Sequence, residues 1–549
     1  MAKFTSLYKC PDGTDFTVEW EDSEFERHGW RWDQMHCPLP LTPLSQDLWK
    51  VKIDGFGRAA NLTGAPARGQ PTIRNGYVFN RQVSFDDDPV ARAAIRARDA
   101  ENRVDRVLGL WDQEYRPEVQ ALTRSLLSLD GDGRTLRQLV DRLDQLHAIT
   151  RRQGELHTLT MGPAGIAANR FIDFCIAEIG PEGEAIALEL MQGFPNKSLE
   201  SANELWELSR EAKLRPKVEE LLRTTTPSEF LQRVAGVPGG EEFRRLFDEF
   251  LEEYGLRNES FSELSLRTWR EDPRFPLFVI RRYLDTPEGA SPAAMHEKTV
   301  RRREEAVADM QPRFTGDLEK LGRFRGWLKS AQQRTVLLED HNFFIDQQGF
   351  SAMRAPCLAI GRGLAEQGTI ADPEDVFYLQ EAEIREASVR QHLRLAGLVA
   401  ERRFERERWL RVLPPEAIGA GPVELSVQTG RFFGTMPEES EDRSVIKGIG
   451  GSPGVISGVA RLVLTLDDVD RLAAGEILVT YATAPPWTPL FGVVAGVVTD
   501  VGGRLSHCAI VAREYGIPAV VGTKVATARI RDGMRITVDG TQGIVRLGE

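Results

Sequence analysis

His507 stands where a histidine can do chemistry. It follows Gly502-Gly503-Arg504-Leu505-Ser506, which is preceded by the apolar, β-branched run Val493 to Thr499. That run reads as a strand, and the paired glycines allow backbone angles that side chains forbid. Ser506 is placed to cap a helix with His507 in its first turn, running through Ala509 to Glu514. Gly516 and Pro518 end this helix, and Ala519 to Val521 begins the next strand. A ring in that position meets free backbone N–H groups and the positive end of a helix dipole, which favour an arriving anion. Imidazole is a nucleophile in covalent catalysis. The spacing therefore points to transient attachment of an anionic group to His507.

The elements around this stretch divide the chain. Residues 1–90 are rich in Trp, Phe, Pro and Gly, with Phe16-Thr-Val-Glu-Trp and Tyr77-Val-Phe-Asn as short strands. Trp32 to Leu44 reads as extended, because Pro38, Pro40 and Pro43 oppose helix. From residue 91 to 410 apolar residues recur at three- and four-residue spacing. The pattern is clear in Leu136 to His147, Leu199 to Leu208, Phe243 to Tyr254, Pro292 to Asp309 and Ala382 to Trp409. We read one large helical domain without a solenoid repeat. Residues 411–444 mix Pro, Gly and charge as a linker does. Residues 445–549 form a last domain, in which glycine turns alternate with β-branched segments such as Ile477-Leu-Val-Thr. Met534-Arg-Ile-Thr-Val-Asp-Gly and Gly543-Ile-Val-Arg-Leu close it as a hairpin. The expected fold class is multidomain: a mostly α-helical domain with a small β-rich N-terminal portion, plus a C-terminal α/β domain.

At 549 residues the chain exceeds one ordinary core. A net charge of −12, with no basic stripe, argues against nucleic acid as a partner. Cys10, Cys37, Cys175, Cys357 and Cys508 are widely spaced, which suggests neither a disulfide framework nor a metal cluster. The opening Met1-Ala-Lys-Phe-Thr-Ser has no apolar signal core, and no run approaches a membrane span, so cytoplasm is the expected compartment.

The His507 stretch closely resembles the phosphohistidine, or swivelling, domain of phosphoenolpyruvate-utilising enzymes. The matching residues are Thr499, Gly502-Gly503, Ser506-His507, Ala509-Ile510, Ala512-Arg513-Glu514, Gly516-Ile517-Pro518 and Gly522. Cys508 departs from the usual alanine, an exchange between two small, easily buried residues. The Trp487-Thr-Pro loop and the Gly-rich run from Lys447 are similar too. Weaker likeness extends upstream to antibiotic phosphotransferases of the rifampicin-inactivating type. It rests on Trp32-Asp-Gln-Met-His36, Phe250 to Arg257, Thr268 to Pro273 and Asp372 to Leu379. The resemblance implies that His507 is phosphorylated. Ser506 and the backbone at Gly502 and Gly503 would then hold the phosphoryl oxygens. Arg504 and Arg513 would neutralise its charge or lie solvated at the surface.

In the family an ATP-binding domain or a phosphoenolpyruvate barrel charges this histidine. Neither a Walker sequence, nor a barrel pattern, nor an ATP-grasp pattern is visible here. That organisation resembles the split aryl-phosphate synthases (phenylphosphate synthase and its cresol-phosphorylating relatives). It implies a partner subunit of the ATP-grasp type that binds ATP and Mg²⁺, and a small aromatic hydroxyl compound as acceptor. A phosphohistidine relay protein, or a phosphotransferase acting on an antibiotic or pyruvate-like acceptor, are the alternatives.

An acceptor hydroxyl needs an apolar pocket and a base. Leu338-Glu-Asp-His-Asn-Phe-Phe-Ile345 offers Asp340 and His341 as acid–base candidates, with Asn342 and Phe343 as lining. His36 and His157 are further substrate-binding candidates. Arg257 would position a phosphate or pair with Glu253 four residues earlier.

Overall fold

The protein is described by a computed structural model covering residues 4–9, 15–20, 27–65, 67–85, 89–130, 133–260, 262–412, 414–419, 421, 430–431, 434, 440 and 442–548. Most of the linker expected at 411–444 lies outside the described residues. The chain forms two compact units. The first comprises Met1–Pro163, Ser260–Leu266 and Phe344–Glu424. The second comprises Ala164–Glu259, Arg267–Phe343 and Leu425–Glu549.

The first unit contains the β-rich N-terminal portion. Strands Phe4–Lys9 and Asp15–Trp20 pair antiparallel. A four-stranded antiparallel sheet is ordered Ala67–Arg74, Tyr77–Ser84, Trp30–Trp32 and Ala417–Ile418. The proline-rich segment is non-helical up to Thr42, and helix Pro43–Leu62 begins with Pro43 at its first position. The core gathers Leu48, Trp49, Val78, Leu143, Phe350, Met353, Ile360 and Phe377, drawn from segments far apart in the chain. The helical periodicity between Ala382 and Trp409 resolves into helices Glu381–Val389 and Ala396–Trp409. The break is made by a distant contact, because the Leu395 N–H donates to the Thr369 carbonyl at 2.8 Å.

The second unit joins helices to an α/β domain. Helices Lys197–Lys213, Gly240–Tyr254 and Pro292–Met310 agree with the periodic segments in that part of the chain, and Leu318–His341 is a further helix there. A core of Phe171, Phe174, Leu190, Phe314, Phe324 and Leu328 also takes in Leu505, two residues before His507. The α/β domain is an eight-stranded sheet. At its centre Val455–Leu462, Ile477–Thr480, Gly496–Thr499 and Ala519–Val521 run parallel. Antiparallel strands Arg535–Asp539 and Ile544–Leu547 form the expected closing hairpin. Of these, Ile477–Thr480, Gly496–Thr499 and Ala519–Val521 are buried along their length, which their Val and Ile content suits. Helix His507–Glu514 connects two of them. Among the described residues no helix is long and apolar enough to cross a membrane.

Candidate functional site

His507 opens its helix, with Ser506 as the extended residue before it. Its ring is held from both nitrogens. Nδ1 lies 3.1 Å from Glu339 Oε2, and Nε2 lies 3.3 Å from Thr488 Oγ1. A carboxylate only accepts, so Nδ1 carries the proton. Nε2 then keeps its lone pair, toward which the Thr488 hydroxyl can donate. Glu339 is buried and also accepts from Ser198 Oγ at 3.2 Å, and Thr488 is fully buried. The arrangement presents one defined nitrogen as nucleophile and fixes the other.

The approach to the helix explains the glycines. Gly502 has φ of +123°, and a side chain there would lie 2.7 Å from Ser506 Oγ. At Gly503 a Cβ would fall 2.4 Å from the Arg431 carbonyl oxygen, which accepts the Leu505 N–H at 2.7 Å. The loop is pinned by Asp500, whose carboxylate accepts from Thr523 Oγ1 at 2.9 Å and the Ala526 N–H at 2.6 Å. Ser506 was expected to cap the helix. Its hydroxyl makes no capping bond and is buried with no partner among the described residues. A buried hydroxyl on the residue next to the nucleophilic histidine is suited to an incoming oxyanion.

The two neighbouring arginines are engaged elsewhere. Arg504 pairs with Glu184, whose other oxygen accepts from Arg431 Nε at 3.2 Å. Arg431 also donates to Asn169 at 2.7 Å and Asp173 at 2.8 Å, fastening the α/β domain to the helices of its unit. Arg513 is buried and donates to the Gly451 carbonyl at 2.6 Å; burial pulls its pKa down to about 10.

Of the candidates in Leu338 to Ile345, Asp340 accepts the Lys197 N–H at 2.9 Å, at the start of helix Lys197–Lys213. Burial pushes its pKa up to about 6; the Lys197 N–H opposes the shift and the Glu339 charge adds to it. His341 is buried and its Nδ1–H donates to the Leu337 carbonyl at 2.6 Å. Phe343 packs on Tyr254 with ring centroids 5.8 Å apart, and Asn342 is half-buried beside it in the chain. Arg257 is fully buried between the Trp269 and Phe343 rings, 5.2 and 5.0 Å from their centroids, and donates to Ser201 Oγ at 2.7 Å. Burial pulls its pKa down to about 9, while Tyr254 and Glu339 pull the other way. Sequence reasoning singled out neither Glu339 nor Thr488 as functional. Glu339 adjoins Asp340 in the same run, and Thr488 lies in the Trp487-Thr-Pro loop.

In the first unit, His36 and His157 come together although they are far apart in sequence. Their ring centroids are 6.2 Å apart, with Phe56 4.8 Å from His157 and Trp49 6.1 Å from His36. Each has its own carboxylate: His36 Nδ1 is 2.8 Å from Asp33 Oδ1, and His157 Nδ1 is 2.9 Å from Asp346 Oδ2. Fully buried Lys52 donates to Asp346 Oδ1 at 2.7 Å and lies 5.4 Å from the Phe350 ring centroid. Burial alone would lower the His36 pKa, but the Asp33 charge and hydrogen bond outweigh it. A close helix crossing sets this geometry. A Cβ on Gly55 would lie 2.1 Å from the Arg151 carbonyl oxygen, and one on Gly154 would lie 2.3 Å from the Lys52 carbonyl oxygen. Lys52 and His157 stand one helical turn from these glycines.

Comparison with known proteins finds two family matches. Residues 472–543 match the mobile domain of PEP-utilising enzymes, and residues 157–339 match the fourth domain of rifampicin phosphotransferase. The chain is 36% identical to chondramide synthase of Chondromyces crocatus over 98% of its own length and 14% of that protein. It is 33% identical to rifampicin phosphotransferase of Streptomyces sviceus over 60% of this chain and 37% of the relative. To a probable phosphoenolpyruvate synthase of Archaeoglobus fulgidus it is 48% identical, over 20% of this chain and 15% of the other. The chain thus spans well under two thirds of the length of each of these relatives.

Proposed function

On the premise that this chain belongs to the PEP-utilising enzymes, with residues 472–543 as the mobile domain, we propose that it is a phosphotransferase component that carries a phosphoryl group on His507. ATP with Mg²⁺, bound by an ATP-grasp-type partner subunit, is the donor, and the hydroxyl of a small aromatic compound is the acceptor.

The observation that carries this reading is the environment of His507. With Nδ1–H on Glu339, the lone pair of Nε2 attacks the transferred phosphorus of the donor, and the P–N bond forms as the donor P–O bond breaks with its electron pair leaving on the donor oxygen. The Thr488 hydroxyl, 3.3 Å from Nε2, and the buried hydroxyl of Ser506, the residue before His507, would serve the phosphoryl oxygens, as would the positive end of helix His507–Glu514. Glu339 offsets the positive charge that develops on the ring. In the second half-reaction an acceptor oxygen attacks phosphorus, the P–N bond breaks, and its electron pair returns to Nε2. Retention of the proton at Nδ1 by Glu339 lets the imidazole leave as a neutral group.

The test mixes the purified chain, an ATP-grasp-type partner and ATP labelled at the β or γ phosphate. An acid-labile, base-stable label on the wild-type chain, lost in His507→Ala, is expected. Absence of label with every donor partner, phosphoenolpyruvate included, would sink the proposal. Discharge of the label to phenols separates a phosphotransferase from a relay protein, which would pass the label only to another polypeptide.

A further inference from the structure

We propose that the buried set Lys52, Asp346 and His157, with His36, Asp33 and Phe56, binds and deprotonates the acceptor as an aromatic hydroxyl compound. This deepens, and rests on, the reading of His507 as a phosphoryl carrier.

Three observations converge on it. First, the chemistry is excessive for a core. Two histidine–carboxylate pairs and a lysine lie together, with His157, Asp346 and Lys52 all nearly excluded from water. Burial of such charges is costly and is retained mostly where function needs it. Second, the walls are aromatic. Trp49, Phe56 and Phe350 surround the polar groups, and Trp49 meets Phe56 and Phe350 edge to face at 6.2 and 5.9 Å. An aromatic ring fits such walls better than a sugar or a carboxylic acid does. Third, the polar groups are ordered for proton transfer. The His157 Nδ1–H donates to Asp346, so Nε2 is the basic nitrogen of that ring. Lys52 neutralises Asp346 and adds a cation that favours a phenolate. His36, with a fifth of its side chain exposed, and half-buried Phe56 form the open side of the set.

His157 Nε2 takes the proton from the acceptor O–H. The oxygen forms a bond to phosphorus, and the P–N bond to His507 breaks with its pair returning to the imidazole. The products are an aryl phosphate and His507, and the proton on His157 returns to solvent.

The experiment uses the full chain and two readouts. Histidine ring resonances are followed by NMR during titration with phenol, 4-nitrophenol and, as the non-aromatic control, cyclohexanol. Single-turnover discharge of phosphorylated His507 to phenol is then timed in wild type, His157→Gln and the charge-balanced pair Lys52→Met/Asp346→Asn. Saturable shifts of His36 and His157 with the phenols alone are expected, together with discharge slowed at least about 100-fold in both variants while His507 charges normally. Discharge at the wild-type rate in a folded His157→Gln, or no ring shift with any phenol, would overturn the site, leaving the cluster a structural network only. Ring shifts in a chain whose His507 never takes label would instead overturn the carrier reading and leave the phenol site standing.

Discussion

Replacing Glu339 by Gln should slow both half-reactions. The side-chain volume and the contact with Ser198 Oγ at 3.2 Å are preserved, but the charge facing His507 Nδ1 at 3.1 Å is lost. Both partners of that contact are largely buried, with 10% and 5% of their side chains exposed. Water therefore screens it little. A hydrogen bond to a charged group contributes about 1.5–3 kcal/mol, which corresponds to a rate change of about 10- to 100-fold. The loss falls on charging, where Glu339 fixes the attacking tautomer, and on discharge, where it holds the proton that lets the imidazole leave neutral. The assay isolates phosphorylated protein by desalting, then follows loss of label to phenol in a rapid-quench mixer. Discharge of Glu339→Gln at the wild-type rate would refute the role given to Glu339. A loss confined to charging would refute it equally.

Three further outcomes follow from the same geometry. Asp340 has its pKa raised to about 6 in the folded chain, so the native state binds more protons than the unfolded chain between about pH 4 and 6. Its contribution to stability is thus lost as pH rises through that window, and Asp340→Asn should stabilise the protein at pH 7 by about 2–3 kcal/mol and by nothing near pH 3, read by denaturant titration at both values. Gly55→Ala would force a methyl to within 2.1 Å of the Arg151 carbonyl oxygen. Strain of about 1–3 kcal/mol and separation of Lys52 from Asp346 are expected, seen as a lowered Tm together with slowed phenol discharge. Glu184→Ala removes the carboxylate shared by Arg504 and Arg431, and amide exchange at Leu505 should rise by about tenfold or more.

Local punctuation made the α/β domain readable. Gly502-Gly503, the Ser506 boundary and the Gly516–Pro518 stop bracket helix His507–Glu514, and strands Ile477–Thr480 and Ala519–Val521 fall where their β-branched residues indicate. Such signals sit within a few residues of what they specify. Glu339 was less legible for a geometric reason. Consecutive helical residues point about 100° apart, so the run Glu339-Asp340-His341 cannot reveal which side chain meets His507 without knowledge of the packing. Lys52 and Asp346 were illegible because they are 294 positions apart and meet only in the packed fold. The break between Val389 and Ala396 has the same origin, since the Leu395 N–H finds its acceptor at Thr369. Ser506 marked the helix start correctly, while its hydroxyl stayed out of the cap.

The most direct test of the account is the position of the phosphoryl group on the charged protein. Tandem mass spectrometry should place it on His507 alone, and phosphorus–proton correlation NMR should assign it to Nε2, the nitrogen facing Thr488. Phosphate on Nδ1, or on any residue other than His507, would contradict the account.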